Sequence, residues 1–233
     1  MWQRSLDTPE EFWSLQAKQL DWIKEWDHVL EWENNHARWF VGGLLNVSYN
    51  CVDRHAKTSR KNKVAIIWEG EDGDRMGLIY HSLYREVNKI ASALKELGVK
   101  KDTAVAMYMP MVPELPIAML ACTRIGAPFT QVYSGFSSGA LAERIQHIDA
   151  KIVITSDGLW RRGKIVDLKG TVDKALEDCP KVEKVVVLKR TDHSIHMKEG
   201  RDLWYNEALA LAKEKHVIPE PLASDQTLYV LYT

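Results

Sequence analysis

Cysteine is scarce in this sequence, at three residues in 233, and its placement excludes more than its number does. Cys51, Cys122 and Cys179 are odd in count, widely separated and form no Cys-x-x-Cys pair. That pattern argues against a disulfide framework and a cysteine-built zinc site, and for reduced thiols in a cytoplasmic protein. An excess of charge is also missing: 31 Lys and Arg against 32 Asp and Glu leave a net charge of −1. Without a global basic field, nucleic acid and anionic membrane are not expected as partners, and any phosphate-bearing ligand has to be held by a local cluster. No apolar run is long enough to span a bilayer, and Met1-Trp2-Gln3-Arg4 leads into charged sequence, not the apolar core of a signal peptide. There is no Gly-x-Gly-x-x-Gly fingerprint, no Walker-type phosphate loop, no Gly-x-Ser-x-Gly elbow and no carboxylate pair marked out by spacing.

What is present is ordinary globular sequence, 45% hydrophobic and 27% charged, long enough for one large α/β domain or two small ones. Tryptophan is the exception, with nine residues. Trp13, Trp22, Trp26, Trp32 and Trp39 fall in the first forty positions, and side chains of this kind need a surface to pack on. Residues 1–63 therefore read as a helical and aromatic segment wrapped on the main domain, with a partner-binding arm as the alternative. Thr8-Pro9-Glu10-Glu11 predicts a helix start, with Thr8 as cap and Glu11 completing a capping box.

From residue 64 the pattern alternates. Val64–Trp68 and Met76–Tyr80 predict a hairpin across the acidic turn Glu69-Gly70-Glu71-Asp72-Gly73-Asp74, which lacks the ligand spacing of a calcium loop. Ser82 predicts a helix cap before Leu83, Val87, Ile90, Leu94 and Leu97, with Gly98 at the far end. Strands are then expected at Ala104–Met109, Phe129–Tyr133, Ile152–Thr155, Val185–Leu188 and Leu228–Tyr232. The intervening helices start at Pro113 and Ser137, include Val172–Leu176, and end with Leu203–Ala212. Apolar strands alternating with amphipathic helices imply a doubly wound, mostly parallel sheet with helices on both faces, here an incomplete α/β domain over 64–233. Ligands in such sheets bind beyond the carboxyl ends of the strands, at loops 110–113, 133–138 and 156–164. The chain ends on Thr233 directly after an apolar run, without a closing helix or polar tail, so a longer intact protein is expected.

Two of these loops have the chemistry of a ligand site. In Ser156-Asp157-Gly158-Leu159-Trp160-Arg161-Arg162-Gly163-Lys164, three cations surround a glycine that allows close backbone approach. Arginine offers bidentate phosphate binding and lysine a point charge. The alternative is a solvated basic loop. Tyr133-Ser134-Gly135-Phe136-Ser137-Ser138 is small enough for a flat ligand to approach and leads into a helix N-terminus, although such a loop is also an ordinary cap. His193 and His196 are three apart, with no third ligand at metal spacing, and read as a surface loop.

Several blocks together resemble the AMP-forming acetyl-CoA synthetases within the acyl-adenylate-forming superfamily. They include Trp39-Phe40-Val41-Gly42-Gly43, Leu45-Asn46-Val47-Ser48-Tyr49-Asn50-Cys51-Val52-Asp53-Arg54-His55, Ala65-Ile66-Ile67-Trp68-Glu69-Gly70 and Tyr108-Met109-Pro110-Met111-Val112-Pro113-Glu114. Others are Ala118-Met119-Leu120-Ala121-Cys122, Arg124-Ile125-Gly126-Ala127, Gly135-Phe136-Ser137, Val153-Ile154-Thr155-Ser156-Asp157-Gly158, Glu199-Gly200-Arg201-Asp202-Leu203-Trp204 and Leu231-Tyr232-Thr233. They match in order and spacing from about residue 12 onward. The resemblance implies a short-chain carboxylate activated by ATP and Mg2+ to an acyl-adenylate, then passed to coenzyme A. Acetate is the expected acid, with propionate or a small hydroxy acid as alternatives and a non-catalytic CoA-binding module as a further one. Self-association into a homo-oligomer is compatible with it.

The resemblance also implies roles for residues. The loop that wraps the ATP phosphates would begin after Thr233, as would the acyl pocket and the adenylating lysine. No catalytic or metal-binding residue is therefore assigned within the chain, and the chain by itself is expected to be inactive. Arg161 and Lys164 carry over as contacts to the 3′-phosphate of coenzyme A, with Gly163 as the close-approach position. Arg162 stands where the family often has a small residue. Tyr133-Ser134-Gly135 falls at the family's aromatic-Gly-Gly beside the coenzyme A adenine, with serine in place of one glycine.

Overall fold

The computed structural model describes residues 1–232; Thr233, and with it the end of the expected Tyr232-Thr233 boundary, lies outside the described residues. The chain opens with helices α1 (Trp2–Asp7) and α2 (Pro9–Ala17). Thr8 stands between them, but its side chain caps nothing: its hydroxyl donates to the Arg4 carbonyl and Glu11 pairs with Arg4. The expected capping box is thus replaced by contacts to the preceding helix.

A hairpin that the tryptophan-rich sequence concealed follows, β1 (His28–Glu33) and β2 (His36–Val41), turning through Asn34 and Asn35 at positive φ. Trp22, Trp26 and Phe40 form an edge-on cluster with centroids 4.9 to 5.6 Å apart, whereas Trp32 remains 72% exposed. Strand β3 (Leu44–Leu45) precedes a π-helical turn (Tyr49–Asp53) that runs into α3 (Arg54–Ala56). A short 3-10 turn, Ser59–Asn62, leads into the hairpin β4 (Val64–Glu69) and β5 (Arg75–Ile79), which forms where the pattern predicts.

Helix α4 (Tyr80–Glu96) starts straight from β5, with Ile79 as N-cap, so Ser82 lies inside the first turn and does not cap. Its apolar face Leu83, Val87, Ile90 and Leu94 is buried at the expected spacing. Then come β6 (Val105–Tyr108), α5 (Glu114–Ile125), β7 (Phe129–Gln131), α6 (Ser138–His147) and β8 (Ile152–Ser156). Ser137 caps α6 as predicted, its hydroxyl accepting from the Ala140 amide. The stretch expected as a loop after β8 is instead a tight hairpin, β9 (Gly158–Arg161) and β10 (Lys164–Asp167), followed by α7 (Leu168–Ala175).

Strand β11 (Lys184–Leu188) pairs in parallel with β12 (Asp202–Trp204), and α8 (Tyr205–Ala210) and β13 (Leu222–Ala223) follow. Leu203 and Trp204, expected in a helix, are in β12, because the apolar edge of β11 recruits them before the helix begins. Leu228–Tyr232 is not a full strand. Tyr229 alone bridges Phe129 in the parallel sense, and the Val230 amide donates to the Phe129 carbonyl at 2.8 Å. The partner β7 is only three residues long, and Tyr229 and Leu231 are left exposed.

The five-stranded sheet runs β12-β11-β8-β6-β7, all parallel. Counted from β6 this is the 2-1-3-4-5 order of a doubly wound sheet, as expected. Alternate residues face opposite layers. Val105, Met107, Ile152, Ile154 and Val186 pack with α4, α5 and α8, while Ala106, Tyr108, Val153, Val185 and Val187 pack with α6 and α7. The strand order reverses between β6 and β8, which places a crevice above their carboxyl ends.

Candidate functional site

That crevice is a cleft of about 440 Å³, lined by residues from Trp68 to Glu71, Pro110 to Val112, Tyr133, Ser134, Leu159 to Arg161, and Arg190. Its walls are the loops after β6, β7 and β11, the β9–β10 hairpin and the tip of the β4–β5 hairpin. All three loops singled out in the sequence therefore meet in one place.

The basic hairpin takes its shape from two residues. Arg161 pairs with Lys164, leaving Arg162 and Gly163 as a two-residue turn at φ +51° and +71°. Positive φ at both positions is the type I′ turn that matches strand twist. Glycine meets the second requirement freely, while Arg162 adopts a conformation that arginine seldom does. All four residues 161–164 are exposed. Arg161 Nη1 donates to the Tyr133 hydroxyl at 3.2 Å, which joins the two predicted site loops directly. Among the described residues no acidic side chain forms an ion pair with Arg161, Arg162 or Lys164, whereas the neighbouring cations Lys189 and Arg190 are paired.

The 133–136 loop is fixed from below. The buried Tyr108 at the end of β6 donates its hydroxyl to the carbonyls of Ser134 (3.0 Å) and Phe136 (2.8 Å). Burial pushes that phenol above its ordinary value, so it stays a donor. A Cβ at Gly135 would lie 2.5 Å from the Tyr133 ring, so a side chain there would force that ring to move. The Tyr133 ring folds over this glycine and stands edge-on to Phe136, presenting an aromatic surface beside Arg161.

The opposite wall depends on residues that sequence reasoning did not single out. Asp157, fully buried after β8, accepts four backbone amides: Gly158 (2.7 Å), Arg190 (2.8 Å), Thr191 (3.0 Å) and Asp192 (2.7 Å). This one carboxylate ties the root of the basic hairpin to the loop after β11. Arg190 then reaches across to Asp72 (2.6 Å) and Asp74 (3.1 Å), with its guanidinium over the Trp68 ring at 5.2 Å. Burial of Arg190 works against its charge, but the two carboxylates hold it above its usual value, and Arg190 holds Asp72 below the usual carboxylate range. Trp68 is anchored by its indole N–H to the Met111 carbonyl at 2.6 Å. A buried aspartate directly after a sheet strand was the available signal for Asp157, since such a group must find donors.

His193 and His196 do not meet a third ligand, and among the described residues no group of three or more His, Cys, Asp or Glu is placed to hold a metal. His193 bonds through Nδ1 to the Thr191 hydroxyl at 2.8 Å. No helix among the described residues is long and apolar enough to cross a membrane.

Known proteins match this architecture closely. A family model described as AMP-binding enzyme covers residues 52–233, and one described as acetyl-coenzyme A synthetase N-terminus covers residues 1–51. The chain is 51% identical to an acetyl-coenzyme A synthetase of Pyrobaculum arsenaticum, across 99% of this chain and 36% of the relative. It is 49% identical to the acetyl-coenzyme A synthetase of Rubrobacter xylanophilus, across 96% and 35%. Among solved structures, acetoacetyl-CoA synthetase from Streptomyces lividans aligns with a TM-score of 0.89 at 24% identity, over 99% of this chain and 35% of that one, a likeness of fold. The chain thus spans about a third of the length of the curated relatives it matches. With its family model running through the whole parallel sheet and every wall of the cleft, the chain belongs to the AMP-binding enzyme family.

Proposed function

We propose that this chain supplies the coenzyme A nucleotide-binding wall of an AMP-forming short-chain acyl-CoA ligase. In that reaction a carboxylate attacks the α-phosphate of ATP, giving acyl-adenylate and pyrophosphate. The coenzyme A thiol then takes the acyl group and releases AMP. Acetate is the favoured acid from the names of the relatives, with Mg2+ accompanying ATP. The reading is of a cytoplasmic enzyme on small-molecule substrates, with residues 1–63 as a wrapping segment.

The carrying observation is the set of cations on the β9–β10 hairpin beside Tyr133, without ion-pair partners among the described residues and above the point where the strand order reverses. Their chemistry fits the 3′-phosphate of coenzyme A. Arg161 has a planar fork steadied at one nitrogen by Tyr133, Lys164 adds a mobile charge, and Gly163 lets the phosphate approach the main chain. Arg162 contributes chiefly through its backbone at the turn. The Tyr133 ring and the Ser134-Gly135 backbone offer a flat surface to the adenine.

Titration calorimetry with coenzyme A and with dephospho-coenzyme A tests this. The wild-type chain should prefer coenzyme A. Arg161→Ala should weaken coenzyme A by about tenfold, the worth of one charge-assisted hydrogen bond, and leave dephospho-coenzyme A unchanged. Equal affinity of wild type and Arg161→Ala for coenzyme A overturns the assignment.

A further inference from the structure

One contact in the cleft joins the acidic hairpin tip to the basic turn. The Glu71 carboxylate, at the tip of the β4–β5 hairpin, accepts the backbone N–H of Arg162. In a two-residue hairpin turn the first turn residue has no ladder partner for its amide. That amide lies outside the ladder, next in the chain to Arg161, which lines the same cleft as Glu71. It is the main-chain donor that a phosphate on this turn would use. A carboxylate already occupies it.

Glu71 is not there through loop flexibility alone. The tip that carries it is bolted on both sides of the residue: Arg190 binds Asp72 and Asp74, and Trp68, at the end of β4, is stacked under Arg190 and hydrogen-bonded to Met111. Arg190 is fixed in turn by the Asp157 carboxylate through its own amide. The same buried aspartate therefore orients the basic turn and, at one remove, the acidic residue that faces it. Glu69 nearby is engaged with Arg75 and does not reach the turn.

We propose that Glu71 is a specificity-determining residue of this site, a carboxylate that stands in for the ligand phosphate and has to be displaced by it. The proposal rests on the reading of the 161–164 turn as a phosphate site. A resident carboxylate raises the threshold for any anion at this turn. A singly charged or small anion exchanges one weak partner for another. A dianionic phosphate that also engages Arg161 and Lys164 gains enough to expel Glu71. Discrimination at this turn between a dianionic phosphate ester and smaller or singly charged anions is thus set by repulsion as well as attraction, at the expense of some affinity for coenzyme A itself.

The same calorimetric titrations on Glu71→Gln and Arg161→Ala separate the possibilities. Glutamine keeps the size and the acceptor carbonyl but not the charge, and position 71 is exposed, so the fold is not at stake. Glu71→Gln should bind coenzyme A about two- to fivefold more tightly than wild type, the worth of one exposed charge pair, with dephospho-coenzyme A unchanged. Inorganic phosphate should also compete better against coenzyme A in the variant. If Arg161→Ala weakens coenzyme A while Glu71→Gln leaves it unchanged or weaker, the phosphate site stands and the role of Glu71 is overturned. If Arg161→Ala has no effect and coenzyme A binds like dephospho-coenzyme A, the phosphate reading fails and the inference fails with it.

Discussion

Lys169 is fully buried, and its ammonium is met by Asp173 at 2.7 Å, Asp202 at 2.9 Å and the His196 carbonyl at 2.9 Å. Arg201 closes the network onto both aspartates. Burial pushes the Asp202 carboxyl up, but Arg201 and Lys169 outweigh it and hold the group below its ordinary range. A depressed folded value means that the unfolded chain takes up the proton first. Asp202 thus contributes stability above the ordinary carboxylate pKa, about 3.9, and loses it as pH falls from there through the folded value. Urea midpoints of wild type and Asp202→Asn should differ clearly at pH 7 and converge as pH drops below about 4. A gap that stays constant across that window would remove this assignment. None of this network was legible in the sequence, where nothing local sets Lys169 apart from the other lysines. The cations of the 161–164 turn were legible because they are adjacent in sequence. Three of the four partners of Asp157 were not, because they lie 33 to 35 residues away.

At the scale of elements, periodicity located α4, α5, α6, β6, β8 and β11, whose buried faces repeat cleanly. It failed where pairing partners decide the structure. The β1–β2 hairpin, whose Trp32 and Trp39 share one face, is hidden in a mixed polar and aromatic stretch, although Asn34-Asn35 is the kind of pair that accepts positive φ at both turn positions. The β9–β10 hairpin looks like a loop in sequence because its turn carries arginine where asparagine is usual. This hairpin is also where an element-level change should be felt in binding. Alanine at Gly163 meets no neighbour, so the only cost is the left-handed backbone at φ +71°, about 1 kcal/mol. Gly163→Ala should weaken coenzyme A about fivefold through a distorted turn while the thermal midpoint of the chain falls by only about 2–4 °C. A loss of overall stability without a loss of affinity would show that the turn supports the fold and not the site.

At the scale of the whole molecule, a buried ion pair that no local pattern announces joins stretches far apart in the chain. Arg124, on α5, is fully buried and grips Asp53 with two bonds, at 2.6 and 3.0 Å. Its Nε donates to the Val217 carbonyl at 2.6 Å, and Asn46 donates to the carbonyls of Thr123, Arg124 and Glu220. Three distant stretches, residues 46–53, the end of α5 and residues 217–220, therefore converge on a single guanidinium. Alongside it β3 pairs with β13, which stitches the N-terminal segment to the last described part of the chain. Such a pair is expensive to desolvate, so its presence does not by itself mean a large net gain, but removing one partner strands a buried charge. Asp53→Asn should lower the unfolding free energy by about 3–5 kcal/mol, measured by urea denaturation at neutral pH. Replacing both partners, Asp53→Leu with Arg124→Met, should cost less than the single change despite removing more hydrogen bonds, because no charge is left without a partner. The Val217 carbonyl then loses its donor, which sets a floor of about 1 kcal/mol on the double variant. If the double variant is the less stable of the two, the clamp acts through its hydrogen bonds and not through the cost of an orphaned charge.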